Sequence, residues 1–164
     1  MNHLVLDPDD LYRRLVELAP DGILIVRDER IVFLNPAAVR LFAADSAERL
    51  AGKLLLDLFH PKDRESLVDW IDRLTSGKPG PPIEQKVRQV DGRETDVEVT
   101  GAQIDYQDGR AIQLILHDIT SRKRAEAALR ESEERLRLAF VGAQEGVWDW
   151  NLETGAVVYS PRWK

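Results

Sequence analysis

The sequence predicts an α+β fold, a five-stranded antiparallel sheet with a segregated helical layer. Three observations carry this reading. The apolar pattern runs in the order helix, two short strands, a helical middle and three strands. Asp91-Gly92 and Asp108-Gly109 each separate two strand-like runs, as antiparallel hairpins require. The 164 residues, 43% hydrophobic and 32% charged, have the composition of a folded globular chain, with room for one ordinary domain and some extra.

Each element has its own signals. Asp7 suits an N-cap, Pro8 the first helical position, and Asp9 and Asp10 the positive end of a helix dipole. Leu11, Leu15 and Leu18 follow at helical spacing until Ala19-Pro20-Asp21-Gly22 stops the helix. Residues 23–26 and 31–34 are strand-like, and the polar turn 27–30 makes them a hairpin. Asn35 caps a second helix that opens on Pro36 and carries Val39 and Phe42 on one face.

Residues 46–76 read as helix in short pieces. Leu54, Leu55, Leu58 and Phe59 form an apolar patch, broken by His60-Pro61-Lys62-Asp63. Asp63 is expected to cap a longer helix in which Leu67, Ile71 and Leu74 lie at i, i+4 and i+7, with Trp70 off that stripe. The glycine- and proline-rich stretch 77–82 is an irregular loop.

Three strands follow, over 83–90, 94–104 and 111–119. The apolar phase shifts from Val97 and Val99 to Ala102 and Ile104, which predicts a bulge near Gly101. Ile112, Leu114 and Leu116 face one way and Ile115 and Ile119 the other, so both sheet faces are expected to be at least partly covered.

Residues 120–143 are charged and helix-prone. Ala125, Leu129, Ser132, Leu136, Ala139 and Ala143 alternate at four and three residues, a weak heptad seam, and Glu126–Arg130 and Glu131–Arg135 are supporting i,i+4 pairs. The tail then repeats the beginning. Gln144-Glu145-Gly146-Val147-Trp148 echoes Pro20-Asp21-Gly22-Ile23-Leu24: an acid, a glycine, then a strand. A turn, Asn151-Leu152-Glu153-Thr154-Gly155, and a second strand over 156–160 follow. The expected organisation is a flanking helix (1–20), a domain (21–120), a helical linker (121–143) and the first hairpin of a truncated second domain (144–164). The chain reads as a fragment of a longer tandem-repeat protein. A lone hairpin is marginal in water, so 144–164 is expected to be mobile or to pack on a neighbouring chain.

Composition excludes several functions. A net charge of −6 argues against a nucleic-acid partner. Without cysteine there can be no disulfide, thiolate metal site or thiol nucleophile, which fits the cytoplasm. Apolar runs reach only about six residues, against roughly 20 for a membrane span. Gly77-Lys78 is no phosphate loop, because Asp72 holds the place of the earlier glycine and Pro79 that of Ser or Thr. No nucleophile–base pairing is apparent, so catalysis is not expected within these residues.

Pro20-Asp21-Gly22-Ile23, Asn35-Pro36-Ala37-Ala38, Asp91-Gly92-Arg93 and Asp118-Ile119-Thr120, in this order and spacing, resemble a complete PAS domain over about 11–120. Arg122-Lys123-Arg124-Ala125-Glu126 and Glu131-Ser132-Glu133-Glu134-Arg135-Leu136 resemble the helix that joins PAS modules in bacterial sensors. Gly146-Val147-Trp148-Asp149-Trp150 resembles the opening of another PAS subtype. The resemblance implies a sensory and interaction module upstream of a histidine kinase, a cyclic-di-GMP enzyme or a transcription regulator. It also implies homodimerisation through the terminal helices, here Leu11, Leu15, Ala125, Leu129 and Leu136.

The resemblance further implies a pocket between sheet and helices. Its candidates are Ile25, Phe33, Asn35, Val39, Phe42, Leu58, Leu67, Ile71, Val87, Val97, Leu114 and Leu116, and each of them but Asn35 also reads as plain core. The cofactor stays open. Haem members place an axial histidine on the long middle helix, and 64–75 has none; LOV-type flavin adducts need a cysteine. Of His3, His60 and His117, His60 with Asp57 and Asp63 reads either as a metal cluster or as a solvated turn, and no metal centre is expected. Gln85 and Gln113 read as polar pocket probes or as water-facing, and Trp70 as a pocket cover or an interface residue. Asn35 reads as a ligand contact or a cap. Asp118, Ile119 and Thr120, where the last strand meets the linker, read as a signal relay or as a static cap.

Overall fold

The computed structural model describes residues 8–78, 80–142, 148–150, 154–155 and 157–159. The expected cap Asp7, His3 and the acid–glycine repeat at 145–146 lie outside the described residues. The chain divides into two compact units, Met1–Thr120 and Ser121–Lys164.

The first unit opens with helix α1 (Pro8–Leu18), followed by strands β1 (Gly22–Arg27) and β2 (Arg30–Leu34). Helix α2 (Pro36–Leu41) comes next, then 3₁₀ turns at Ala47–Arg49, Leu55–Leu58 and Pro61–Asp63, and helix α3 (Arg64–Thr75). Strands β3 (Ile83–Arg88), β4 (Glu94–Tyr106) and β5 (Gly109–Asp118) complete it. The five strands form one sheet in the order β2-β1-β5-β4-β3, every neighbouring pair antiparallel. The α+β reading holds.

The inner face carries the core. Leu24, Val26, Val97, Val99, Leu114 and Leu116 pack there against Phe42, Leu50, Leu55, Phe59, Leu67 and Leu74 from the helical layer. Trp70 belongs to this core at 4% exposure, not to a pocket cover or an interface, and its Nε1 donates to the Pro81 carbonyl at 2.7 Å. It was missed because its partner is a glycine, which has no apolar signature: a Cβ on Gly101 would lie 2.9 Å from the Trp70 ring and equally close to Leu74 and Leu114.

The bulge expected near Gly101 is absent. β4 and β5 pair without a shift from Val97↔Asp118 to Tyr106↔Gly109. The apolar phase changes because the inner layer ends there. Val97, Val99 and Gly101 point inward, then Gln103, whose Nε2 donates to the Thr75 carbonyl at 3.1 Å. Ala102 and Ile104 lie on the other face. The register shift in this sheet falls instead between β1 and β2, at Ile25/Val26.

Asp63 does not cap α3 with its side chain. Its carboxylate accepts the Lys86 backbone N–H at 2.9 Å, so it holds the outer edge of β3. The His60 N–H adds a bond to the Lys86 carbonyl, and β2 is bordered likewise by bonds between Ile31 and residues 52–53. Both edges of the sheet are therefore partly covered by local segments of the same chain.

The β1–β2 turn is tight. Asp28 and Glu29 have φ of 49° and 62°, the left-handed region that matches strand twist in two-residue hairpins and is usually given to Asn and Gly. In the β3–β4 turn, hydrogen bonds from the Arg93 backbone and then its side chain hold the Asp91 carboxyl below its ordinary range.

In the second unit, helix α4 (Thr120–Gly142) is followed by strands β6 (Trp148–Trp150) and β7 (Val157–Tyr159), paired antiparallel. Arg135 pairs with Glu131 and Arg137 with Glu134 along the helix. Among the described residues no helix is long and apolar enough to cross a membrane.

Gly101→Ala tests the inner packing. Trp70 is tied to Pro81 and cannot yield freely, so the substitution should cost about 1–3 kcal/mol in urea unfolding. An unchanged midpoint would show that the α3–sheet contact is loose.

Candidate functional site

The inward layer of side chains stops short of one end of the sheet and leaves a cavity of about 360 Å³. Its apolar walls come from Val26 of β1, Ala111 and Ile112 of β5, Leu54, Leu55 and Leu56 of the second 3₁₀ turn, and Val68 and Ile71 of α3. Its polar rim comes from Arg27, the turn residues Asp28 and Glu29, Asp72 and Thr75 of α3, Gln103, and Arg110.

The pocket candidates fall in three places. Ile71 lines this cavity. Phe42, Leu58, Leu67, Val87, Val97, Leu114 and Leu116 are buried together in the core, with Val39 packed against it. Ile25 and Phe33 lie directly opposite one another on the other face of the sheet. There they line a groove of about 450 Å³ beneath α1 with Tyr12, Val16, Tyr106 and Gln113. Period-two alternation separates Ile25 from Leu24 and Val26, and the run Ile23-Leu24-Ile25-Val26 hides that alternation because every member is apolar.

The rim residues were not legible as a site. Their one sequence signal is the turn itself, where two acids stand in place of the expected Asn-Gly.

Asn35 is a cap and more. It is fully buried. Its Oδ1 accepts the Ile23 and Ala38 N–H groups at 2.8 and 2.9 Å. Its Nδ2 donates to the Val16 and Asp21 carbonyls, both at 3.0 Å. Gln85 is buried, donating to Ser66 Oγ at 3.1 Å, while its Oε1 has no protein partner.

At the far end of β5, Ile119 is buried and its N–H donates to the Asp96 carbonyl at 3.0 Å. Asp118 Oδ1 accepts the Thr120 N–H at 2.8 Å, at the first residue of α4. One residue earlier, His117 Nδ1 lies 2.7 Å from Asp21 Oδ1. His60, Asp57 and Asp63 do not converge. His60 faces Glu94 at 3.4 Å, Asp57 faces Arg64 at 3.9 Å, and Asp63 is on Lys86. Among the described residues no cluster of three or more such side chains is placed to hold a metal ion.

Comparison with known proteins agrees with this architecture. A family model described as PAS fold matches residues 10–119. The chain is 29% identical over 154 residues to Sporulation kinase A of Bacillus subtilis (strain 168), covering 94% of this chain and 24% of that protein. It thus spans about a quarter of that relative's length. Two solved structures are similar. The PAS domain of a protein from Colwellia psychrerythraea has a TM-score of 0.62 at 21% identity, covering 70% of this chain and 99% of that one. A domain of the sensory box sensor histidine kinase/response regulator from Geobacter sulfurreducens has a TM-score of 0.54 at 26% identity, covering 67% and 93%.

Asn35→Ala removes all four side-chain bonds and strands the buried N–H groups of Ile23 and Ala38. It should cost about 3 kcal/mol, well beyond an exposed cap. Equilibrium unfolding checks this, and a loss near 1 kcal/mol would mean that water enters and replaces the amide.

Proposed function

The chain belongs to the PAS family, and from that premise we propose that it senses a small ligand and relays its state to an output domain of the same parent protein. The observation that carries this reading is strand β5. Arg110, Ala111 and Ile112 at its start line the cavity, and Asp118 at its end bonds to the first residue of α4. A ligand that shifts the start of this strand has a continuous hydrogen-bonded path to the linker helix. Asp118, Ile119 and Thr120 are the proposed relay.

The parent is proposed to be a sensor histidine kinase, in keeping with the kinase relatives, with a cyclic-di-GMP enzyme as the alternative output. Catalysis would then reside in another part of that protein, and the setting would be cytoplasmic. The β6–β7 hairpin is proposed as the start of a second PAS domain.

Homodimerisation is part of the same proposal. Leu11 and Leu15 of α1 are 44% and 63% exposed, and Leu129 and Leu136 of α4 are 62% and 56% exposed. An isolated helix is marginal in water, and a partner would cover these stripes. A second reading, a ligand-free dimerisation scaffold, is favoured by the dense packing of most pocket candidates in the core.

Native mass spectrometry beside a denaturing run separates these readings. A dimer with an added mass that disappears on denaturation is the expected result. A dimer without one supports the scaffold, and a bare monomer removes the dimer proposal. For the relay, Asp118→Ala should speed amide exchange in the first turn of α4 about fivefold, the equivalent of roughly 1 kcal/mol of lost capping. It should also alter the signal response of the parent. An unchanged response would reduce Asp118 to a static cap.

A further inference from the structure

We propose that the cavity takes a small amphipathic amine, a primary ammonium group on an apolar body. This rests on the reading of the cavity as the ligand site and names what would fill it.

The rim carries three acids, Asp28, Glu29 and Asp72, against two arginines, Arg27 and Arg110. Arg27 is engaged by Asp28 at 3.8 Å. Arg110 stands directly across from Asp105 in the β4–β5 register, an opposite-charge pair on one face. Glu29 and Asp72, on two different elements, leave the rim with one acid more than its arginines balance. Gln103 lines the cavity as well. Its amide nitrogen donates to the Thr75 carbonyl, and its side chain also carries an accepting oxygen. The excess acid and the Gln103 oxygen accept hydrogen bonds. A primary ammonium offers three donors and a positive charge, and answers them best.

Glu29 is also held in place. Its φ of 62° fixes the turn, and its carbonyl accepts the Leu55 N–H at 2.9 Å. The carboxylate is therefore carried on a backbone already anchored to the cavity wall. Among the described residues none of the lining is aromatic. A quaternary ammonium would find no aromatic cage, so an amine with N–H groups is the better fit. The eight apolar wall residues ask for a hydrocarbon body, and the volume of about 360 Å³ limits it to a small molecule. The carboxylates are exposed, so binding should be modest and should weaken with salt.

The test compares hexylamine, hexanol and hexanoate on the whole chain, by calorimetric titration and thermal shift. Hexylamine should bind about tenfold more tightly than either other probe, and the gap should shrink at high salt. The double variant Glu29→Gln, Asp72→Asn should lose that advantage while hexanol affinity stays unchanged. Both residues are exposed and the variant should fold, which its melting temperature verifies. Equal or tighter binding of hexanoate, or an amine preference that survives the double variant, would overturn the amine proposal. Hexanol binding in that case would still uphold the cavity as a ligand site. No saturable binding of any probe would overturn both.

Discussion

The buried amide of Asn35 is the constraint on which the arrangement of the first unit rests. One side chain with two donors and two accepting lone pairs satisfies the start of β1, the first turn of α2, the end of α1 and the loop between α1 and β1. No other small residue meets that demand. Aspartate lacks the donors and would bring a charge into a site with no cation, and serine is too short to reach all four groups. The amide thereby joins the helix over the outer face to the helix that begins the inner layer, through the strand between them.

Where the inner layer stops decides where the cavity lies. On β4 the inward positions run Val97, Val99, Gly101, Gln103. Gly101 lets Trp70 and Leu74 settle on the sheet, and Gln103 ties down the far end of α3. Beyond that bond the inward positions turn polar, and the space between sheet and helix is left to the rim charges. A close contact and an opening are thus neighbours on the same helix. Leu67, Trp70 and Leu74 face the core, while Val68, Ile71 and Asp72 face the cavity.

Much of this was legible in the sequence. The element order, the cap at Asn35 followed by Pro36, and the hairpin at Asp91-Gly92 are local signals, and local chemistry decides them. What escaped depends on contacts distant in sequence. Trp70 breaks a leucine stripe, and only the absence of a side chain at Gly101, on a different element, makes room for it. Asp63 has the look of a cap, but an edge N–H on β3 competes for it and wins. The site was least legible. Apolar residues proposed for a pocket are also what a core requires, and the run Ile23-Leu24-Ile25-Val26 cannot show which members face which side. The residues on the cavity's rim are mostly charged, and charged residues in turns and on helices attract no notice.

The covering of the sheet edges has a consequence wherever a domain of this fold is repeated along one polypeptide. Lys86 offers its N–H and C=O to Asp63 and His60, and Ile31 is occupied by residues 52–53. Tethered copies of one fold meet at high local concentration, where an open strand can be taken up by the wrong neighbour. With the outer rows of β2 and β3 occupied in part from within the chain, strand exchange between adjacent copies has fewer free groups to begin from. Modules of this kind can be strung closely along one polypeptide and still each close upon its own strands.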